Sequence, residues 1–159
     1  MQCARVVPHA FWTLVRVRRY LRKNETPLPV LLKRLTVAHR QQAASRHRLA
    51  PQACLTVARR LVDRGRSHRC LPRALLLYGL LQRSAADDIR FCLGVHPASA
   101  RRESADPSPA DALQQESTAP MSAIFAHAWV EVAGTPFGEP TDPYSTHRAL
   151  YRYPEPLAA

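Results

Sequence analysis

Acidic residues are nearly missing from the first half of this chain: residues 1–73 hold 2 Asp+Glu against 17 Lys+Arg. Residues 74–159 carry 10 acids against 6 bases, so a +15 half and a −4 half make up the net +11. No apolar stretch approaches the roughly 18 residues a membrane span needs, because Arg16, Arg18 and Arg19 interrupt the N-terminal candidate. Those arginines follow Phe11 and Trp12 without a small-residue cleavage pattern, which argues against a secretory signal and for a cytoplasmic protein. The four cysteines, Cys3, Cys54, Cys70 and Cys92, include no C-x-x-C pair, so neither a disulfide scaffold nor a zinc ribbon is expected. There is no RNP-like aromatic motif, zinc-finger spacing or Walker glycine loop, and the basic half alone does not indicate nucleic acid. No repeat or heptad array is present.

What remains is an ordinary globular composition: 159 residues, 17.9 kDa, 46% hydrophobic and 22% charged. That length suits a single hydrophobic core. The basic half is either a solvated helical face or a surface for an acidic partner.

Periodicity predicts helices first. From His9 to Lys23, Phe11, Leu14, Val15, Val17 and Leu21 approximate an apolar stripe. After the break at Thr26-Pro27 and Leu28-Pro29, Val30, Leu31, Leu32, Leu35 and Val37 carry a second helix that fades from Arg40 to Arg48. Ala50-Pro51 starts a third, which stops at Asp63-Arg64-Gly65. In Cys70-Leu71-Pro72-Arg73 the proline belongs in a helix's first turn, and the leucines up to Leu81 bury that fourth helix.

Strands follow. Ile89 to Val95 alternates with period two and reads as half-buried; Ala123 to Val132 is strand-like, with His127 sharing a face with Phe125, Trp129 and Glu131. Ala133-Gly134 is a hairpin turn, and Pro136-Phe137 begins a short return. Residues 97–120 lose all hydrophobic period and read as a flexible surface insertion. From Gly138 onward the proline-rich tail is expected to lack regular structure. The order is that of an α+β fold, with a basic helical lead-in over 1–49 and a core over 50–159.

A cysteine opening a helix, a histidine on a later strand and a carboxylate beyond it are the parts of a Cys-His-acid triad. The helix N-terminus places N–H donors and the positive end of the macrodipole at Cys70, and both favour thiolate. Arg69, Arg73 and His68 lie nearby in sequence, although Arg73 reads as a surface arginine one turn into the helix. Cys54 and Cys92 read as buried thiols.

The combination of Cys70-Leu71-Pro72-Arg73 with Ala74 to Leu81, Leu93-Gly94-Val95, and Ala126-His127-Ala128-Trp129-Val130-Glu131-Val132 followed by Gly134 resembles the transglutaminase-like leader peptidase of lasso peptide biosynthesis. The likeness runs from about Pro27 to Leu150. It implies a papain/transglutaminase-like α+β core and a thiol peptidase that cuts the leader from a ribosomally made precursor, without metal or cofactor. It also implies as partners the lasso precursor peptide, a separate leader-recognition protein and an ATP-dependent macrolactam cyclase. Position by position, Cys70 matches the nucleophile and His127 the general base. The family's acid lies about a dozen residues past the histidine, which lands on Glu139; Asp142 has the family's residue type but sits three positions further on.

Three other readings stay open. The same triad supports acyl transfer to an amine, the basic helices suit a non-catalytic adaptor, and Cys70, Cys92 and His127 supply three metal ligands but no fourth.

Overall fold

The computed structural model describes residues 2–23, 26–43, 49–63, 70–84, 86–96 and 126–155. Four helices come first: α1 (Gln2–Lys23), α2 (Leu28–Ala43), α3 (Pro51–Val62) and α4 (Cys70–Leu81). Four strands follow, β1 (Ile89–Val95), β2 (Ala126–Val132), β3 (Thr135–Pro136) and β4 (Arg148–Tyr153), with a 3-10 turn over Pro143–Ser145. The strands form one antiparallel sheet in the order β3-β2-β1-β4. The protein is therefore α+β, as its sequence predicts. The expected insertion at 97–120 lies outside the described residues, as do His68, Arg69 and Phe125.

α4 is the centre. Every residue from Ala74 to Leu81 is buried, as expected of a helix that is apolar all round. The other three helices pack on it, and so do β2 and β1. Tyr78, buried near its middle, shares a 2.8 Å hydrogen bond with the Thr36 hydroxyl on α2 and meets Phe91 of β1 edge-on. A single hydrophobic core runs from Val6 through Leu35, Leu49 and α4 to Val130, so the lead-in and the 50–159 region share it. Among the described residues no helix is long and apolar enough to cross a membrane.

The structure corrects the sequence reading in three places. α1 begins at Gln2 and passes through Pro8. It buries Val6, Ala10, Thr13, Leu14 and Val17, while Phe11, Val15 and Leu21 of the expected stripe are exposed. Leu14 and Val17 of the expected stripe are thus on the buried face, which extends N-terminally through Thr13 and Ala10 to Val6. β1 is covered on both faces where it carries Cys92 and Gly94, because Trp129 on the neighbouring strand folds across it. A Cβ at Gly94 would sit 2.9 Å from two Trp129 ring carbons and 2.8 Å from the Arg148 carbonyl.

The third correction is the tail, which is not irregular. Arg148–Tyr153 forms β4 on the free side of β1, with Tyr151 and Tyr153 packed against the core, Arg148, Leu150 and Arg152 exposed, and a register shift at Leu93/Gly94 that sets half-buried Ala149 opposite Gly94. That period-two pattern outweighs the prolines on either side of it.

Candidate active site

Cys70 is the first residue of α4 and is partly exposed. Rigid burial of the following turns fixes the helix start against the sheet, and the thiol donates to the Ala126 carbonyl at the mouth of β2 across 3.9 Å. The adjacent His127 ring hydrogen-bonds the sulfur, and with N–H groups of Ala128 and Leu71 it holds the Cys70 thiol below its ordinary value of 9.0, against the opposing pull of burial.

His127 is held from two sides. Its Nε2 lies 3.0 Å from Glu139 Oε2, which leaves Nδ1 as the ring nitrogen for the thiol. Contact with Cys70 first, and then with Glu139, raises the imidazole from 6.5 to about 9. A lowered thiol beside a raised imidazole favours proton transfer from sulfur to ring, the direction in which a thiol becomes a nucleophile.

Glu139 follows the β2–β3 hairpin. Ala133 and Gly134, both at positive φ (51° and 76°), make the tight turn that reverses the chain, and Phe137 N–H returns to the Val130 carbonyl at 2.8 Å. Gly138 then adopts φ +77° directly over α3, where a Cβ would run into Leu55. Arg59 of α3 donates to the Gly138 carbonyl.

The carboxylate that emerges is 10% exposed and accepts from Arg73 Nη2 at 3.2 Å as well as pairing with His127. Burial opposes ionisation, but the hydrogen bond from His127 and the Arg73 charge outweigh it, so Glu139 titrates below its ordinary 4.5. Arg73 Nη1 also reaches Asp63 at the C-cap of α3, at 3.4 Å.

Cys70, His127 and Glu139 thus meet in the order sulfur, imidazole, carboxylate. Asp142 does not join them: it is exposed and caps the 3-10 turn, its Oδ1 accepting from Tyr144 N–H at 3.0 Å.

Around this line Arg73, Trp129 and Glu131 stand in or beside the sequence motifs, whereas Tyr144, His147 and Arg152 were not singled out by their sequence. Arg73 lies three residues after Cys70, on the same side of the helix, and that spacing was the available signal. Behind the histidine, the Trp129 ring stacks on His127 at 6.0 Å with 16° between planes. Trp129 Nε1 donates to Glu131, which is 2% exposed, and Tyr144 OH donates to the same oxygen. Arg152 closes the chain, donating to Tyr144 OH at 2.7 Å. Tyr144 and Arg152 lie in the tail, where sequence offers no link to the site. His147, just before β4, places its ring 5.3 Å from that of His127.

Among the described side chains the other two thiols, Cys54 and Cys92, are placed for packing. Cys54 is fully buried, and Cys92 is pushed up to about 12, mainly by burial and then by Glu131. Among the described residues no group of three His, Cys, Asp or Glu side chains is arranged to hold a metal ion.

Chemically, the arrangement can form and resolve a thioester: a nucleophile with a lowered pKa, a base able to carry its proton, and a half-buried carboxylate that orients that base. No family model matches this chain, and no curated protein or solved structure matches it either.

Proposed function

We propose that this protein is a cysteine peptidase that removes the leader from a lasso peptide precursor. The observation that carries the peptidase reading is the Cys70–His127–Glu139 line, with Nε2 of the imidazole 3.0 Å from a half-buried carboxylate. The choice of substrate is supported by the sequence resemblance around Cys70-Leu71-Pro72-Arg73 and Ala126 to Val132. A central helix opening with the thiol, packed on an antiparallel sheet that bears the histidine, is compatible with a papain/transglutaminase-like core.

In this mechanism the Cys70 thiolate adds to the carbonyl carbon of the scissile peptide bond. The oxyanion forms next to the first-turn N–H groups of α4, which lack partners within the helix. His127 gives its proton to the departing amine, the C–N bond breaks, and the leader remains as a thioester on Cys70. Water then attacks the thioester carbonyl while His127 takes its proton, releasing the leader's carboxylate and restoring the thiolate. Glu139 keeps the ring in the orientation that both transfers require. No metal or cofactor takes part. Leader recognition by a separate protein, and closure of the ring by an ATP-dependent macrolactam cyclase, complete the reading.

The test is mass spectrometry of a lasso-type precursor incubated with the protein and a leader-recognition partner. Scission at one peptide bond by the wild type, and none by Cys70→Ala, is expected. Scission by both would remove Cys70 from the mechanism, and intact precursor that both proteins still bind would favour the adaptor reading.

A further inference from the structure

α1 and α2 both pack on α4 yet barely touch one another, and between them runs a groove of about 880 Å³. Tyr20, Leu31 and Leu35 give it an apolar base, the two leucines being buried. On the α1 side Arg16, Arg19 and Lys23 are spaced by three and four residues, which aligns them in one row. Trp12, four residues before Arg16 and 66% exposed, extends that row. On the α2 side, exposed Val30 and Val37 flank Lys33 and Arg34.

Among the described residues five cations therefore line the groove and no carboxylate does. None of the five forms an ion pair or side-chain hydrogen bond among the described residues.

We propose that this groove is the docking site for an amphipathic helix of another protein, with an apolar stripe seated on Tyr20, Val30 and Val37 and a row of Asp or Glu facing Arg16, Arg19 and Lys23. Three features select that occupant. Two helices splayed on a third leave a concave slot, and a further helix fills such a slot at the usual 8–10 Å interaxial distance, as in any bundle. The cations form a row with helical spacing, which an acidic row at i, i+3 or i+4, and i+7 matches charge for charge.

The apolar base lies recessed between the charged walls. A phosphate backbone would leave it wet, and a flat bilayer surface would not reach it. Trp12 at the end of the row supplies the kind of aromatic anchor on which helix docking usually concentrates its affinity. The site does not involve Cys70, His127 or Glu139, so the proposal stands apart from the peptidase reading.

Fluorescence anisotropy with two labelled peptides of about 18 residues, roughly five helical turns, tests it on the full chain. Both peptides have the same Leu, Glu and Ala content. One places Leu on a single helical face with Glu beside it, and the other scrambles the order. The ordered peptide is expected to bind about tenfold or more tightly than the scrambled one.

The charge-reversed variant Arg16→Glu/Arg19→Glu/Lys23→Glu should bind it about tenfold or more weakly, since each exposed ion pair is worth up to about fivefold. The uncharged variant Val30→Ser/Val37→Ser should also lose about threefold or more. All these positions are exposed or partly so, and circular dichroism checks that each variant keeps its helices. Equal binding of both peptides, or an undiminished affinity in either variant, overturns the proposal. Tighter binding of duplex DNA or phosphatidylserine vesicles than of the ordered peptide, lost in the charge-reversed variant, would make the groove a polyanion surface and also overturn it.

Discussion

Replacing Glu139 with glutamine separates the charge of the proposed triad acid from its shape. The variant keeps an oxygen within reach of His127 Nε2 but removes the negative charge that sits 3.0 Å from that nitrogen and 3.2 Å from Arg73. A hydrogen bond to a charged group contributes about 1.5–3 kcal/mol. At 1.36 kcal/mol per decade, its loss predicts a fall of about 10- to 150-fold in kcat/KM for precursor cleavage.

The same substitution withdraws one of the two main supports that hold His127 near 9, so the imidazolium becomes a poorer partner for the thiolate. Iodoacetamide alkylation of Cys70, followed across pH by mass spectrometry of the modified peptide, reads this directly. It does not require the natural substrate, and Cys54 and Cys92 are buried. Its midpoint should move upward in Glu139→Gln. Asp142→Asn, which still caps the 3-10 turn, should leave both readouts within about twofold. An unchanged alkylation profile and rate in Glu139→Gln, together with collapse in Asp142→Asn, would refute the assignment of Glu139.

The wild-type alkylation profile should show Cys70 reacting below 9.0, and His127→Ala should return it toward that value; coincident profiles would mean that His127 does not lower the thiol. Activity should rise as Cys70 ionises and fall again near pH 9 as His127 loses its proton. Because the folded-state pKa of His127 is raised from 6.5, its contribution to stability is complete below about 6.5 and is lost as pH climbs through about 9, which urea titrations at pH 6 and pH 10 can follow. Gly138→Ala meets both a positive φ and the Leu55 side chain; it should cost about 1–3 kcal/mol in urea denaturation and slow cleavage by shifting Glu139, and a silent substitution would remove Leu55 as the anchor of that loop. Tyr144→Phe strips one donor from the buried Glu131 and should cost about 1–3 kcal/mol, whereas a neutral result would show that Trp129 alone satisfies that carboxylate.

Much of the architecture follows from local rules that act within a few residues. Proline two positions after Cys70 and the unbroken run of buried residues to Leu81 placed α4 and made the thiol its first residue. Alternation placed β1, and Ala133-Gly134 placed the hairpin that brings Glu139 back beside β2. These signals survive without tertiary information because capping, turn geometry and burial period are properties of short segments.

Other features depended on which surfaces meet. On α1 Leu14 and Val17 of the expected stripe are buried, and packing on α3 and α4 decided that Val6, Ala10 and Thr13 join them while Phe11, Val15 and Leu21 stay exposed. Arg73 became a partner of Glu139 because the C-terminus of α3 and the loop after β3 converge on the first turn of α4. β4 formed because β1 had a free edge for Arg148–Tyr153 to fill, and that placement carried Tyr144 and Arg152 to the Trp129–Glu131 pair behind His127. The sequence by itself determined the later helices, β1, β2 and the hairpin after it, the thiol's position on a helix start and the twelve-residue interval from His127 to Glu139. The tertiary structure decided which carboxylate faces the imidazole and which arginine holds it, because those contacts join segments whose separation along the chain carries no information about their distance in space.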